Sequence, residues 1–398
     1  MGNLRVLMVH NFYQRPGGED ESFAEEAELL ERHGHPVHRY TRHNDEVEDM
    51  GRFHLALTSV WSWETRRGLR QAMEDFKPEV VHFQNTFPLV SPAAYGVPSA
   101  AGVAVVQSLR NYRLLCLNGL LFRDGHVCED CVGKFVPWPG ILHACYRGTR
   151  GGSTVAAGVL TFHRMLDTWR RNVDLFLANT EFSKGKFTAI GLPADRIRVK
   201  PNFVAPDPGP GPGGGQYALY VGRLSPEKGI RTLLQAWRNL PHVRLLIVGD
   251  GPMRAEVESA LRPPERPVAE YLGSRPHDQV YDLMKGSRFV VVPSEWYETF
   301  GRVIIEAYAC GVPVIAARLG AMAEIVEDGK TGLHFAAGDA EDLANKVLWA
   351  WQHGEEMQAM GSRAREMFLA KYSPEPNYRL LAEAYEQAIL WASRGKRE

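Results

Sequence analysis

Residues 289 to 310 read Phe289-Val290-Val291-Val292-Pro293-Ser294-Glu295-Trp296-Tyr297-Glu298-Thr299-Phe300-Gly301-Arg302-Val303-Ile304-Ile305-Glu306-Ala307-Tyr308-Ala309-Cys310. Four apolar residues run directly into a proline, which suits a strand buried on both faces and ended sharply. After a polar stretch, the apolar residues return densely enough for a buried helix. Strand, loop and helix together are half of a crossover unit, and crossover units build parallel sheets. The unit repeats outward from this point. Tyr217 to Val221, Arg244 to Val248 and Val312 to Ala316 are similar runs, each followed by helix-like sequence. Toward the N-terminus the rhythm recurs in Leu4 to Val9 (before the amphipathic stretch Glu21 to Arg32), Val80 to Phe83, Val103 to Ser108 and Leu175 to Ala178.

Between the two sets lies Pro206 to Gly215, where every residue but Asp207 is proline or glycine. Such a run sustains neither helix nor strand and reads as an interdomain linker. The expected organisation is therefore α/β with two Rossmann-like doubly wound domains: residues 1–205, with a cysteine-rich insertion near 112–150, and residues 206–372. A final amphipathic helix lies in residues 373–398, with Leu380, Leu381, Ala384, Tyr385 and Ala388 on one stripe. It either completes the second domain or crosses back to the first.

At 398 residues the chain has room for two cores, and two cores imply a cleft. Hydrophobic residues make up 44% and charged residues 23%, ordinary values for a globular protein. The formal net charge of −1 removes the field expected of a nucleic-acid binder and favours small-molecule partners. The N-terminus has no secretory pattern, and no apolar run reaches the roughly 18 to 20 residues of a spanning helix. The expected place is the cytoplasm, or the inner face of a membrane as a peripheral contact.

The chemistry concentrates in the second half. Tyr217 to Val221 leads into Gly222-Arg223-Leu224-Ser225-Pro226-Glu227-Lys228-Gly229, which puts two cations at the carboxyl end of a strand, where doubly wound sheets bind ligands. Arginine holds two phosphate oxygens at once, and lysine acts as a point charge on a departing diphosphate. Glu298 and Glu306 would then lie about 12 Å apart along a helix at 1.5 Å per residue, the span of a sugar nucleotide. One carboxylate would bond the sugar and the other the ribose, with the N–H groups of Phe300 and Gly301 facing the diphosphate between them. A carboxylate within so apolar a helix needs a partner, and a ligand would serve for Glu306; a core salt bridge is the plainer alternative. In the first half, Gln14 to Glu21 contains Gly17 and Gly18 ahead of a helix, where the backbone can approach a phosphate or sugar oxygen.

Taken in order, Gly222 to Gly229, Val248-Gly249-Asp250-Gly251-Pro252, Tyr271-Leu272-Gly273 and the Glu298/Glu306 segment resemble the family-4 retaining glycosyltransferases of the GT-B fold. The likeness extends over nearly the whole chain, with Gly17 and Gly18, Asn179 to Ser183 and Pro201-Asn202-Phe203 also in place. It implies two Rossmann-like domains facing a central cleft. It also implies a nucleotide-diphosphate sugar as donor, a retained anomeric configuration and no catalytic metal. By the same resemblance Arg223 and Lys228 hold the diphosphate, Glu306 the ribose and Glu298 the sugar, while Gly222 and the backbone around Leu272, Gly273 and Arg275 line the donor. The family often has a histidine where this chain has Arg110, in Leu109-Arg110-Asn111. A permanent cation cannot serve as a general base near neutral pH, so Arg110 fits a mechanism without one. His82, at the end of its strand run, and Asn111 are candidates for the acceptor side.

Cys116, Cys128, Cys131 and Cys145 crowd into thirty residues, with one Cys-x-x-Cys pair. Their spacing suits a structural zinc that stiffens a long loop, and free thiols are the alternative. Thr161 to Arg171, and Trp61 and Trp63 with Arg66, Arg67 and Arg70, mix aromatics and cations; they suit a membrane surface, a solvated helix face or the border of an acceptor pocket. Two other functions stay open beside transfer. A nucleotide-sugar epimerase or hydrolase would want protein acid and base groups that Arg110 does not supply, and a non-catalytic sugar-nucleotide sensor would have lost some of the donor grip that is present here.

Overall fold

The computed structural model describes residues 3–14, 17–261 and 268–394; Arg15 and Pro16 of the N-terminal glycine loop lie outside the described residues. The chain divides into two units. The first comprises Met1–Leu120, Glu129–Lys200 and Asn377–Glu398, and the second Leu121–Cys128 and Pro201–Pro376.

The first unit is a six-stranded sheet in the order β2-β1-β3-β4-β7-β8, built from β1 (Val6–Phe12), β2 (Val37–His43), β3 (Val80–Asn85), β4 (Ala104–Leu109), β7 (Leu175–Ala178) and β8 (Ile197–Val199). A hairpin of β5 (Phe122–Arg123) and β6 (His126–Val127) leaves the run and groups with the second unit. All neighbours in the six-stranded sheet pair in parallel. The strand order reverses between β1 and β3, which opens a crevice at their carboxyl ends. The core sets Val6, Met8, Val80 and Val106 against Phe23, Ala27 and Leu30 of α1 (Gly18–Arg32).

The second unit repeats the plan in the order β11-β10-β9-β12-β13-β14, with β9 (Ala218–Val221), β10 (Leu245–Val248), β11 (Ala269–Gly273), β12 (Phe289–Val292), β13 (Val314–Ala317) and β14 (Gly332–Phe335). Here too every pair is parallel, and the order reverses between β9 and β12. The opening stretch is thus β12, a loop, and the helix Arg302–Ala309 at the switch point of its sheet.

Two boundaries differ from the sequence reading. The division falls at Lys200/Pro201 instead of 205/206, and the Pro206 to Gly215 run groups with the second unit. Gly211 donates its N–H to the Cys310 carbonyl at 2.8 Å, and Arg365 pairs with Asp207 at 2.6 Å. Proline and glycine leave the run without regular structure, yet Gly209, which donates to Asp207 Oδ1 at 2.9 Å, and Gly211 both find partners. The last helix, Pro374–Ser393, belongs from Asn377 to the first unit, where Leu381, Ala384, Tyr385 and Ala388 are buried in the core. Burying one such large apolar side chain stabilises by about 1.5–3 kcal/mol, enough for this stripe to hold the helix there.

Candidate functional site

In the second unit the loops after β9, β10 and β12 are laced together by their backbones. Leu224 donates to the Asp250 carbonyl at 2.9 Å, Met253 to the Leu224 carbonyl at 2.9 Å, and Glu295 to the Glu227 carbonyl at 2.9 Å. The glycines permit this approach: a β-carbon on Gly249, at φ +140°, would collide with the Gly222 carbonyl, and one on Gly229, at φ +70°, with that of Pro293. The loops therefore form one preorganised rim over the switch point.

Lys228 and Glu298 meet on that rim, Nζ to Oε1 at 2.6 Å. Ser294 Oγ donates to the same Oε1 at 2.8 Å, and the ammonium stands 5.3 Å from the centre of the Trp296 ring. Glu298 is buried, while Lys228 keeps partial access to solvent. Arg223 is exposed, and no hydrogen bond or ion pair of its guanidinium occurs among the described residues. Its carbonyl is fixed by the Tyr220 hydroxyl at 3.0 Å, and burial, with Glu298 and Glu227 nearby, pushes that phenol far above its usual range so that it stays a donor. Tyr220 was not singled out from the sequence; a tyrosine among aliphatic strand residues was the available signal.

Two expectations about the carboxylates change. The helix begins at Arg302, so Glu298 lies in the loop before it and the 12 Å helical rise does not apply to the whole interval. Glu306 is buried but not in want of a ligand, because Arg302 Nε reaches its Oε1 at 3.0 Å, one turn upstream. The plainer alternative, a salt bridge, accounts for its burial. Gly301 caps the helix at φ +86°, and the Phe300 side chain faces Tyr372 in the core, which leaves only backbone at those two positions for a ligand. Gly222 lies on the same rim, whereas Leu272, Gly273 and Arg275 are at the carboxyl end of the edge strand β11, where the Gly273 carbonyl accepts from Gly249 at 3.0 Å.

The first unit holds a buried ionic hub that sequence reasoning largely missed. Glu26 of α1 takes Lys200 Nζ at 2.5 Å and Arg110 Nη2 at 2.7 Å on Oε1, and Gln84 Nε2 on Oε2. Arg110 Nε donates to Gln84 Oε1 at 2.6 Å. Burial opposes the charge on Glu26, but Lys200 and Arg110 outweigh it and hold its pKa well below the ordinary carboxylate range. The available signal was a glutamate placed on the apolar stripe of Phe23, Ala27 and Leu30.

His82 is not an acceptor-side residue. It is fully buried in mid-strand, with Nδ1 on the Tyr385 hydroxyl at 2.8 Å and Nε2 on Ser108 Oγ at 2.9 Å. Burial lowers its pKa to about 4, aided by the Arg110 and Lys200 charges and opposed by Glu26. An unfolded histidine takes up its proton near 6.5, so between about 4 and 6.5 the unfolded chain binds more protons and stability rises with pH. Replacing His82 by Gln should flatten that slope in denaturant melts taken at pH 4.5, 5.5 and 6.5; an unchanged slope would assign it to other groups.

Asn111 Nδ2 donates to Glu19 at 3.0 Å, which ties it to α1. Gly17 donates its N–H to Asp20 Oδ2 at 3.0 Å, and Asp20 Oδ1 pairs with His10 at 2.7 Å. With Glu19, Asp20 and Glu21 in its first turn, α1 already presents carboxylates where a phosphate was expected beside Gly17 and Gly18. Among the described residues no three His, Cys, Asp or Glu side chains come together to hold a metal ion, so the geometry adds no support to the zinc expectation. The five cysteines form no disulfide; Cys116 Sγ donates to Asn118 Oδ1 at 3.0 Å, and Cys131 is buried against the Pro137 carbonyl. The Trp61 and Thr161–Arg171 segments meet, with His163 buried beneath the Trp61 ring and Trp63 and Met165 exposed. No helix of the described residues is long and apolar enough to cross a membrane.

Known proteins match both units. Residues 207–367 match the model of glycosyl transferases group 1, and residues 17–202 that of a glycosyl transferase 4-like domain. The chain joins a glycosyl transferase 4-like domain to a glycosyl transferases group 1 domain. It is 28% identical to the sulfoquinovosyl transferase SQD2 of Arabidopsis thaliana over 81% of its own length and 59% of the plant protein. An uncharacterized glycosyltransferase of Methanocaldococcus jannaschii is 33% identical over 43% of this chain and 48% of its own. The chain thus spans about half the length of these curated relatives. Among solved structures, the Anabaena protein HepE in complex with UDP aligns over 96% of this chain and 100% of its own, with TM-score 0.69 and 19% identity. Sucrose-phosphate synthase from Thermosynechococcus elongatus aligns over 98% and 100%, with TM-score 0.71 and 19% identity. Both are likenesses of fold, and they establish GT-B.

Proposed function

We propose that this chain transfers a sugar, with retention of configuration and without a catalytic metal, from a nucleoside diphosphate to a hydroxyl acceptor taken up by the first unit. The observation that carries the reading is the Lys228–Glu298 pair on a rigid rim at the β9/β12 switch point, with the open guanidinium of Arg223 beside it in the same loop. A diphosphate leaving group gathers negative charge as its bond breaks, and two cations held in place lower that barrier without reorganising. Glu298 holds Lys228 in position and offers its carboxylate to the sugar hydroxyls, Glu306, with Oε1 held by Arg302, offers its other oxygen to the ribose, and Arg110 supplies positive charge in the first unit. The sugar–phosphate bond breaks, the acceptor oxygen bonds the same face of the sugar carbon, and its proton passes to the departing phosphate. No enzyme nucleophile is required.

UDP-glucose and related donors stabilise by mass action if they bind the folded state, about 2.7 kcal/mol at a hundred times Kd. A thermal-shift screen of nucleotide sugars and free diphosphates should therefore raise Tm for at least one base. The stabilising donor should then transfer in the presence of EDTA and give, by NMR, a product with the anomeric configuration of the donor. If no nucleotide raises Tm the reading fails, and an inverted product removes the retaining assignment.

A further inference from the structure

The first unit contains a cavity of about 60 Å³, room for several waters, at the carboxyl ends of β3 and β4. Its polar side carries Gln84, Gln107, Arg110 and Arg113, and its apolar side includes Leu117, Val159 and Leu160. Among the described residues no carboxylate lines it. Two polar atoms there have no partner: Gln107 Oε1, on a side chain more than nine-tenths buried, and Arg113 Nε. Buried polar atoms left unbonded cost about 1–3 kcal/mol each, so a site that keeps two is built for something that bonds them.

The charged side chains on the cavity wall, Arg110 and Arg113, are both cations. Behind it Glu26 faces two cations, Arg110 and Lys200. Arg113 adds a third, lying 4.7 Å from the centre of the Phe87 ring, while Glu19 is already taken up by Asn111 and Tyr13. A groove of about 300 Å³ adjoins the cavity, for Leu114 and Trp169 line both. Phe135, Ile190 and Leu192 make that groove apolar, with Lys134, Arg164, Arg170 and the carboxylate of Asp167 along it. The helix Arg150–Met165, whose Val159 and Leu160 wall the cavity, ends on exposed Met165.

We propose that cavity and groove together hold an acceptor that bears an anionic group on an apolar chain, the anion against Arg110 and Arg113, a hydroxyl donating to Gln107 Oε1, and the chain along Leu114 and Trp169 into the groove. This names the acceptor class and rests on the glycosyltransferase reading. Its test uses neither donor nor transfer. Dodecyl phosphate, inorganic phosphate and dodecyl maltoside are titrated separately into the full chain by calorimetry, below the micelle concentration. Dodecyl phosphate should bind at least tenfold tighter than either other probe. Arg113→Gln should erase its advantage over the neutral maltoside, and Val159→Trp, which fills the cavity, its advantage over inorganic phosphate. Thermal melts of both variants check that they fold, and the comparison of probes on the unaltered chain stands if one does not. The proposal is overturned if inorganic phosphate or the maltoside binds as tightly as dodecyl phosphate, or if both folded variants bind like the unaltered chain. Failure of the transfer reading would show instead in the nucleotide titrations.

Discussion

Glu298→Gln should slow transfer by about 10²- to 10³-fold, equivalent to roughly 2.7–4 kcal/mol, while free nucleoside diphosphate binds within a few-fold of the unaltered protein. The amide keeps the shape of the carboxylate and can still accept from Ser294, but it removes the charge that fixes Lys228 at 2.6 Å. A freed lysine can still meet a diphosphate in the ground state, so binding is largely spared. What is lost is its fixed position when charge develops on the leaving group, together with the negative charge that the sugar hydroxyls would meet. The measurements are kcat/KM for transfer and a calorimetric titration of the diphosphate. Stability should change little, because Lys228 is partly solvated and water can replace its partner. Full transfer activity in a folded Glu298→Gln protein would reduce Glu298 to a structural neighbour of Lys228 and move the donor grip elsewhere.

Glu26→Ala should be the most destabilising single change in the first unit, by about 3–5 kcal/mol, because it strands two buried cations at once. Arg110 and Lys200 are both almost inaccessible, and the hub connects α1, β3, the residue after β4 and the residue after β8. Set against a typical folding stability of about 5–15 kcal/mol, the loss is large, and it reads directly as a lowered urea midpoint at neutral pH. The pH dependence has a definite sign. The folded pKa of Glu26 is depressed, so its contribution is present above the unfolded carboxylate value near 4.3 and is lost as pH falls below it toward the lower folded value. Glu26→Gln should therefore remove part of the acid-induced loss of stability below about pH 4. Replacing Glu26, Arg110 and Lys200 together with apolar residues of similar size should recover much of the loss, since an apolar triad has no charge to strand. A Glu26→Ala protein with an unchanged urea midpoint would show that water reaches the hub.

Local pattern was enough to reveal the two sheets, because a parallel strand covered on both faces is a nearly continuous apolar run. Phe289 to Val292 is one such run, and β12 has those bounds. Strands that escaped notice broke this rule. In β2, Val37-His38-Arg39-Tyr40-Thr41-Arg42-His43 lies at the sheet edge and is half exposed, so its sequence carries no apolar signature. The short β8 and β14 are also edge strands, and Arg198 and His334 interrupt them, so neither is a continuous apolar run.

The motif residues of the rim were legible for a related reason: Arg223, Lys228 and Glu298 are charged residues in loops that directly follow apolar strand runs. Partners far apart in sequence were not. Glu26 and Lys200 are separated by 174 positions, and His82 and Tyr385 by 303. Sequence alone determined the βα repeat, the two units and the cations and carboxylates of the second unit's rim, since each depends on neighbours within a few residues. Only the tertiary structure decided that Arg302 pairs with Glu306, that His82 is sealed under the last helix, and that Arg110 shares a buried carboxylate. Those outcomes depend on which distant groups burial brings within hydrogen-bond reach, and no local period or motif records that choice.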